Sequence, residues 1–249
     1  MELADYNDTT YDYTKYWEGR DYEHSSEFLV LEKIFKSLQV ENDKSVIDIG
    51  CGFGRLLPLL KNFFKDVTLF DYSKKLLEAA LEQAKIENIQ VQTLCGDVYK
   101  ISEITQKKYD FVVMNRVSHH IQDLTEMFFE VEKIIAPEGY FIFELANKLN
   151  FKAVAKAIMR FDFYFFGKDS VSLTSKNSVF LNHSPIAAEK IIEKCGFEII
   201  NKYSVSNFRN PFMKKYIPEK VLLRVENFLQ KPLAYVNFGP SVYYVLRKQ

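Results

Sequence analysis

The feature that most constrains this chain is an alternation of short apolar runs with stretches of helical periodicity between residues 44 and 145. The apolar runs predict five strands, at 45–49, 67–71, 89–94, 109–115 and 139–145. Most of these runs are apolar throughout, which is typical of parallel strands covered by helices on both faces. The helical stretches after Ser73 and Leu124 each carry one apolar stripe, and Pro137 with Gly139 ends the second. The repeated order of strand, helix and strand predicts right-handed crossovers and a doubly wound α/β sheet.

Two segments interrupt this rhythm and are predicted to be insertions. The first covers residues 147–182 and contains the aromatic cluster FDFYFFG at 161–167, followed by the polar run DSVSLTSKNS. The second covers residues 207–239 and contains the amphipathic helical sequence PEKVLLRVENFLQ. One interpretation makes the aromatic cluster and a helix from Asn150 to Arg160 an apolar lid over an acceptor. The alternative is that the same aromatic side chains seal the sheet edge or a dimer contact.

Regular structure is predicted to return after each insertion. HSPIAAEKIIEKCGFEII predicts a helix that is capped by Ser184 and ended by Gly196, followed by a sixth strand. SVYYVLRK predicts the last strand. There is no internal repeat or low-complexity linker, so residues 1–249 are predicted to form a single domain. Within it, cap helices in residues 1–43 precede a core of residues 44–146.

Composition excludes several classes of partner. Lysine plus arginine equals aspartate plus glutamate at 33 each, so no overall charge attracts nucleic acid or an anionic membrane. This balance does not exclude a local patch of positive charge. LKNFFK and FMKK are too sparse for a nucleic-acid surface. Three widely spaced cysteines without a CxxC pair argue against a disulfide framework or a metal site. With neither a leader pattern nor a transmembrane segment, the chain is expected to be cytoplasmic.

A glycine-rich turn follows the first predicted strand, in the sequence VIDIGCGFGR. Gly50, Gly52 and Gly54 permit positive φ and remove side chains that would keep a ligand away from the main chain. A helix is predicted to start near Gly54 and to add free N–H groups. In open α/β sheets, ligands bind at the carboxyl ends of the strands, usually beside the first strand. The spacing GxGxG differs from the GxGxxG of dinucleotide-binding proteins, and no Walker lysine follows. A tight strand-to-helix connection without a ligand is the alternative.

Two carboxylates follow the next two strands. Asp71 ends VTLFD, 21 positions after Gly50, where a carboxylate can accept hydrogen bonds from both hydroxyls of a ribose. Its alternative role is to cap the following helix, although Ser73 suits that role better. Asp97, in CGDVY, can accept from an adenine amino group while the Val98 N–H donates to a ring nitrogen. A turn carboxylate satisfied by local amides is an equally good interpretation of Asp97.

These motifs together carry a resemblance to a known family. VIDIGCGFGR, LFDYS, CGDV, YDFVVMNRVSHHI and IIAPEGYFIFE resemble, in order and spacing, the motif series of class I S-adenosylmethionine-dependent methyltransferases, specifically those of methyltransferase type 11. The resemblance covers residues 44–145 strongly and resumes weakly near the C-terminus. It implies a Rossmann-like, seven-stranded sheet with an antiparallel last strand, in which the insertions follow strands five and six. It also implies the cofactor S-adenosyl-L-methionine.

The resemblance implies a role for each matching residue. Asp48, Gly50, Gly52 and Gly54 surround the methionine half of the cofactor, and Asp71 binds its ribose. Tyr72 lies against the adenine face, and the adenine edge is framed by Gly96, Asp97 and Val98. Asn115 and Arg116 line the methionine end near the reactive methyl group, whereas Cys51 has no chemical role.

The N-terminal YWEGRDYEH resembles a segment that folds over the cofactor in many of these enzymes. Tyr16, Trp17 and Tyr22 then supply aromatic cover, and Arg20 pairs with the carboxylate of the cofactor. An aromatic helix packed on the sheet edge is the alternative for this segment.

The chemistry expected from this resemblance is an in-line methyl transfer to a small-molecule acceptor, for which hydrophobic or aromatic character is expected. His119 and His120, after strand four, are the candidate catalytic bases, and packing or helix capping is the alternative for both. The acceptor atom stays open among oxygen, nitrogen and carbon, and the chain is expected to be a monomer or homodimer. The rival functions are a catalytically silent S-adenosylmethionine-binding module and, with less support from the glycine spacing, an NAD-type oxidoreductase.

Overall fold

The computed structural model describes residues 17–175 and 178–249. The strands in this part of the chain are β1 Ser45–Ile49, β2 Asp66–Asp71, β3 Val91–Cys95, β4 Tyr109–Met114, β5 Ile135–Ala146, β6 Ser170–Ser175, β7 Ser178–His183, β8 Phe197–Val205 and β9 Ser241–Lys248. The helices are α1 Asp21–Ser37, α2 Leu57–Leu60, α3 Lys74–Ile86, α4 Ile101–Ile104, α5 Leu124–Ile134, α6 Phe151–Met159, α7 Tyr164–Gly167, α8 Pro185–Lys194, α9 Pro211–Tyr216 and α10 Glu219–Ala234.

Seven strands form the main sheet in the order β3-β2-β1-β4-β5-β9-β8. The pairs β1–β2, β1–β4, β2–β3 and β4–β5 are parallel, whereas β9 is antiparallel to both β5 and β8. The chain order reverses between β1 and β4, which places a ligand crevice beside the carboxyl end of β1. The predicted α/β fold with an antiparallel last strand is confirmed.

The core explains why the central strands are apolar on both faces. On β1, Ile47 and Ile49 pack with the helices of one layer, whereas Val46 packs with those of the other. Helix α5 covers the first face with Phe128, which makes edge-on ring contacts with Phe143. Removing a fully buried phenylalanine side chain such as Phe128 costs about 3–5 kcal/mol.

Two boundaries differ from the sequence prediction. The regular helix after the glycine turn begins at Leu57, not near Gly54, because consecutive turns occupy the intervening residues. Strand β5 begins directly after α5, and its pairing with β4 shifts register between Tyr109 and Phe111. This irregularity accommodates Pro137, which lacks a backbone donor, and Glu138, whose φ is +62°.

Helix α1 packs against α10 through polar contacts. The Tyr22 hydroxyl, which is buried, donates to Glu226 Oε2 at 2.7 Å and accepts from the Phe208 N–H at 3.1 Å. Tyr22 therefore connects α1 to α10. The expectation that Tyr22 supplies aromatic cover at the cofactor cleft is wrong.

The first insertion contains more regular structure than the sequence predicted. Asn150 caps α6 by accepting from the Ala153 N–H at 3.1 Å, as the predicted helix requires. The polar run that follows is part of a hairpin, in which β6 pairs antiparallel with β7. The aromatic residues between α6 and β6 do not seal the sheet edge, because Phe161, Phe163 and Tyr164 are 79%, 68% and 74% exposed.

Candidate functional site

A small cleft opens at the carboxyl ends of β1 and β4, beside the glycine-rich turn. Its lining residues are Asp48, Gly50, Cys51, Gly52, Phe53, Arg55, Leu56, Asn115 and Arg116. The structure therefore brings five of the predicted site residues to one cleft: Asp48 of β1, Gly50 and Gly52 of the turn after β1, and Asn115 and Arg116 directly after β4. Burial raises the pKa of the Cys51 thiol well above its usual value, so the thiol stays protonated, in keeping with a packing role.

The glycines of the turn serve different purposes. Gly50 has φ +73°, and a Cβ there would lie 2.2 Å from Val117 Cγ2, so packing requires a glycine at this position. Gly52 has φ +56°, and its N–H donates to Asp71 Oδ2 at 2.9 Å. The main chain at Gly52 therefore lines the cleft without a side chain and is tied to the end of β2.

Asp71 points toward the glycine turn. In addition to the bond from Gly52, its Oδ1 accepts from the Ser73 N–H at 2.8 Å, while Ser73 caps α3 through the Leu76 N–H. Burial raises the pKa of Asp71, and the hydrogen bonds from the backbone oppose this increase. The backbone of Tyr72 also donates to this carboxylate, which retains acceptor capacity for a further donor. The ribose contact of Asp71 stays a prediction, and the direction of the carboxylate toward the glycine turn is compatible with it.

Asp48 carries a buried carboxyl oxygen without a partner. The residue is 2% exposed, and Asp48 Oδ2 accepts no hydrogen bond from any described residue. Burial raises the pKa of Asp48 to about 7, against the opposing charge of Arg55 and with a smaller contribution from Asp71. Because an unsatisfied buried acceptor costs about 1–3 kcal/mol, this oxygen favours a donor supplied by a ligand in the cleft.

Glu27, on α1, organises the cationic side of the cleft and was missed by the sequence analysis. Its carboxylate is fully buried and binds Arg55 Nη2 at 2.6 Å and Arg116 Nη2 at 2.6 Å. Asn115 Nδ2 also donates to it, at 3.2 Å. Burial raises the pKa of Glu27, but the charges of Arg116 and Arg55 and the hydrogen bonds outweigh burial and hold this pKa below its usual value.

A second buried acid completes the network. Glu144 Oε2, on β5, accepts from the Arg116 N–H at 3.2 Å, and Tyr243 donates to Asn115 Oδ1. Burial raises the pKa of Glu144, while the charge of Arg116 opposes this increase. Asn115 and Arg116 were expected at the cleft from the resemblance, and Arg55 directly follows Gly54 in the glycine turn. Glu27 and Glu144 were not expected, because no local sequence pattern marks them.

The residues predicted around adenine lie at the ends of β2 and β3. The Tyr72 ring is 68% exposed, and Gly96 N donates to the Asp71 carbonyl at 3.1 Å. Asp97 Oδ1 accepts from the Tyr99 N–H at 3.0 Å and so caps the short 3₁₀ helix that begins at Val98. Local capping therefore accounts for one oxygen of Asp97. The adenine contacts of these residues stay predictions.

The N-terminal segment reaches the cleft through Trp17, whose ring centre lies 3.9 Å from the guanidinium carbon of Arg55 and 5.7 Å from that of Arg116. Arg20 lies at the start of α1, and Arg55 and Arg116 are the basic side chains that line the cleft in the described part of the chain. The carboxylate contact predicted for Arg20 stays a prediction. Tyr16 lies outside the described residues.

His119 and His120 lie on a 3₁₀ helix just after β4. Their rings lie 4.1 Å apart and contact Phe180 of β7 at 5.3 and 5.5 Å between ring centres. Burial lowers the pKa of His120 to about 4 and the pKa of His119 well below its usual value. His183, which the sequence analysis did not single out, joins this cluster by a 2.9 Å contact between its Nε2 and the Ser118 carbonyl.

The strand order and the glycine-turn cleft agree with the Rossmann-like fold that the motif resemblance implies. Residues 47–143 match the family model described as a methyltransferase domain, which confirms the predicted resemblance over this segment. The chain is 28% identical over 122 residues to ubiquinone biosynthesis O-methyltransferase of Coxiella burnetii, covering 49% of this chain and 51% of the relative. The same enzyme of Rickettsia bellii is 28% identical over 119 residues, covering 48% and 49%. The matches thus span about half the length of these curated relatives.

Solved structures share the fold more extensively. Magnesium protoporphyrin IX methyltransferase of Synechocystis PCC 6803, with bound SAH, aligns with a TM-score of 0.60 and 17% identity over 91% of this chain and 84% of the other. An S-adenosylmethionine-dependent methyltransferase of Clostridium acetobutylicum aligns with a TM-score of 0.59 and 15% identity over 91% and 92%. At these identities the likeness establishes the fold.

Proposed function

We propose that this chain is an S-adenosyl-L-methionine-dependent methyltransferase that acts on a small-molecule acceptor. The observation that carries the proposal is the buried, unpartnered Asp48 Oδ2 beside a glycine turn that Asp71 anchors from the next strand. The family match over residues 47–143 and the relatives that are named O-methyltransferases support it. These relatives favour a hydroxyl as the accepting nucleophile.

The residues of the cleft fit this cofactor. A cationic amino group, such as that of methionine, is the kind of donor that Asp48 Oδ2 lacks. Arg55 and Arg116 line the same cleft as candidates for a carboxylate, in addition to Arg20. The bare main chain at Gly52 permits close approach, and Asp71 has acceptor capacity for ribose hydroxyls. Tyr72, Gly96, Asp97 and Val98 are proposed for the adenine end.

When bound, this cofactor supplies a methyl group activated for transfer. The methyl group is carried by a sulfonium, which departs readily as a neutral thioether. The protein therefore has mainly to align the acceptor and exclude water. Trp17, on the N-terminal segment, covers the arginines of the cleft, and Glu27 fixes their positions. These residues orient the donor so that an acceptor can approach in line with the transferring methyl group.

An acceptor hydroxyl must also lose its proton. His119 and His120 are the proposed bases, because their lowered pKa values keep both imidazoles neutral at pH 7 and able to accept a proton on a ring nitrogen. The same low pKa values make them weak bases, and their contacts with Phe180 support the packing alternative. We propose a cytoplasmic single-domain enzyme, monomeric or homodimeric, with a hydrophobic or aromatic acceptor.

Calorimetric titration of the full chain with S-adenosylhomocysteine and, separately, with NAD tests the cofactor assignment. We expect S-adenosylhomocysteine to bind and NAD not to bind. Binding of NAD alone would refute the proposal in favour of an oxidoreductase. A screen of small phenols and other acceptors for release of S-adenosylhomocysteine then separates an enzyme from a silent binding module.

A matched pair of variants links this binding to the cleft. Gly52→Val introduces a branched side chain into the cleft and is expected to abolish S-adenosylhomocysteine binding. Gly196→Val imposes a similar backbone strain, because Gly196 has φ +81°, but it lies between α8 and β8, at the opposite edge of the sheet. We expect the Gly196→Val variant to lose stability and retain binding. Unchanged affinity in folded Gly52→Val protein would contradict the site assignment.

A further inference from the structure

The exposed apolar surface of the described chain is concentrated in the two insertions. Fifteen of the 21 large apolar side chains that are exposed belong to residues 147–182 or 207–239. They are Phe151, Ile158, Met159, Phe161, Phe163, Tyr164, Phe166, Leu173, Phe212, Tyr216, Val221, Val225, Phe228, Tyr235 and Val236. Single exposed apolar residues are common in folded proteins, but a concentration of this kind marks an interaction site.

Helix α10 combines buried polar side chains with exposed apolar ones. Its outer side exposes Val225 at 41% and Phe228 at 79%, whereas its inner side buries Glu226 and Gln230 completely, together with Leu222 and Ala234. The inner polar groups are satisfied, since Gln230 Oε1 accepts from Lys33 Nζ at 2.9 Å and Glu226 accepts from the Tyr22 hydroxyl. Burying the inner side therefore leaves the apolar outer stripe of α10 without a partner in the described chain.

Helix α6 is held next to the end of α10. The Phe151 and Phe238 rings stack with their centres 5.1 Å apart, and Phe151 N donates to the Phe238 carbonyl at 2.9 Å. Phe238 follows α10 by four residues, so α6 begins beside the end of α10. The exposed side chains of α6, α7 and the outer stripe of α10 are called the insertion face below.

The insertion face is also cationic. The two insertions hold twelve lysine and arginine residues against four aspartate and glutamate residues, although the whole chain is balanced at 33 each. The rest of the chain therefore holds 21 basic and 29 acidic residues. Exposed basic residues alternate with the apolar ones along the helices: Lys152, Lys156, Arg160 and Lys168 in α6 and after it, and Lys220, Arg224 and Lys231 on α10. Zero net charge thus conceals a strong separation of charge between the insertions and the core.

We infer that the insertion face docks on the surface of an anionic lipid bilayer. Helices with exposed aromatic and aliphatic side chains and flanking lysine or arginine bind at the interface between lipid headgroups and acyl chains, with the basic stems extending toward the headgroups. A second copy of the chain is a poorer occupant, because its own cationic face would be placed against this one. Within the described residues, no helix has the length and hydropathy to cross a bilayer, so the contact is peripheral.

Vesicle flotation with the full chain tests the charge contribution. We expect binding to vesicles of equal parts phosphatidylcholine and phosphatidylglycerol, little binding to phosphatidylcholine alone, and release by salt. The double variant Lys152→Gln/Lys156→Gln should bind about 30-fold more weakly, because each basic residue at an anionic surface contributes about fivefold. Its control, Lys190→Gln/Lys194→Gln, has the same spacing on the exposed side of α8 and should bind like the wild type.

The apolar contribution has its own matched pair. Met159→Ser/Phe163→Ser removes two side chains that are 75% and 68% exposed on the insertion face and should weaken vesicle binding at least about tenfold. Ile86→Ser/Ile186→Ser removes two side chains that are 75% and 57% exposed elsewhere and should leave vesicle binding unchanged.

Three results would overturn the inference. These are absence of vesicle binding by the wild type, equal binding to both lipid compositions, or equal losses in the insertion-face and control variants. A dimer in analytical ultracentrifugation that Met159→Ser/Phe163→Ser dissociates would assign the face to a second copy instead. S-adenosylhomocysteine binding measured on every variant reports on the fold and the cleft separately, so failure of the membrane inference and failure of the proposed function remain distinguishable.

Discussion

The carboxyl edge of the sheet and the two insertions distribute polar and apolar groups in opposite ways. At the sheet edge, carboxyl groups such as Glu27, Asp48 and Glu144 are almost fully buried. In the insertions, aromatic rings such as Phe161 and Tyr164 are more than 70% exposed. Each arrangement departs from the usual rule that apolar groups lie inside and charges outside. The protein itself does not compensate the buried Asp48 Oδ2 or the exposed rings, so both features indicate surfaces shaped for binding.

The buried acids at the sheet edge are themselves of two kinds. Glu27 has both oxygens engaged by arginine side chains, so the protein itself satisfies it. Asp48 has one oxygen that forms no hydrogen bond with any described residue. We infer that Glu27 maintains the shape of the cleft, whereas Asp48 provides a group for the ligand.

Glu27→Gln is the variant with the largest expected effect on the sheet edge. Neutralising this carboxylate removes the charge that binds both Arg55 and Arg116, whose side chains are only 10% and 13% exposed. We expect the free energy of unfolding in urea to fall by about 3–5 kcal/mol. Glu82→Gln is the control, because Glu82 pairs with Lys85 in an exposed ion pair and should cost less than about 1 kcal/mol. Equal losses in the two variants would show that the Glu27 network does not stabilise the edge.

The pH dependence of stability tests the unpaired acid. Burial raises the pKa of Asp48 from 3.8 in the unfolded chain to about 7 in the folded protein. The folded protein therefore keeps this proton while the unfolded chain loses it, and stability falls as the pH rises from about 4 to about 7, by up to about 4 kcal/mol. Asp48→Asn removes this titration, so its unfolding free energy should change less over the same range. Parallel profiles for the two proteins would contradict the raised pKa.

The sequence predicted the sheet better than it predicted the cleft. Apolar runs identified β1, β2 and β4 within one residue, because strands buried on both faces need continuous apolar sequence. The start of β5 was missed, since a strand that tolerates Pro137 and a positive φ at Glu138 depends on its irregular pairing with β4. The β6–β7 hairpin was missed because its serine-rich sequence was interpreted as an irregular segment.

Within the cleft, sequence reasoning worked where residues follow strands directly. Gly52 was expected at the cleft because ligands bind at the carboxyl ends of parallel strands, whereas Asp48 and Asn115 were expected there from the motif resemblance. Glu27 was not expected, because its partners are 28 and 89 positions away and a glutamate on a surface helix is ordinarily exposed. Charges that are buried by tertiary packing leave no periodic signal in a single sequence.

Asp71→Ala is expected to have an intermediate effect on ligand binding. Losing a hydrogen-bonding carboxylate should weaken S-adenosylhomocysteine binding by roughly 1.5–3 kcal/mol, the range for hydrogen bonds to charged groups. Asp66→Ala provides the control, since Asp66 lies at the other end of β2 and pairs with Lys107 at 2.7 Å. Calorimetry on both variants checks the expectation. Equal affinities for the two variants would remove Asp71 from the proposed site.

The smallest effect is expected where the apolar groups are exposed. Met159→Ser/Phe163→Ser should change the free energy of unfolding by no more than about 0.5 kcal/mol, because side chains that are 75% and 68% exposed contribute little packing. Phe128→Ala, in the core, should cost about 3–5 kcal/mol in the same urea measurement. A large loss in the double variant would mean that these side chains support the fold. A negligible loss, together with weakened vesicle binding, would mean that their role lies outside folding, since surface apolar groups that stabilise neither a core nor a dimer gain free energy only against an external partner.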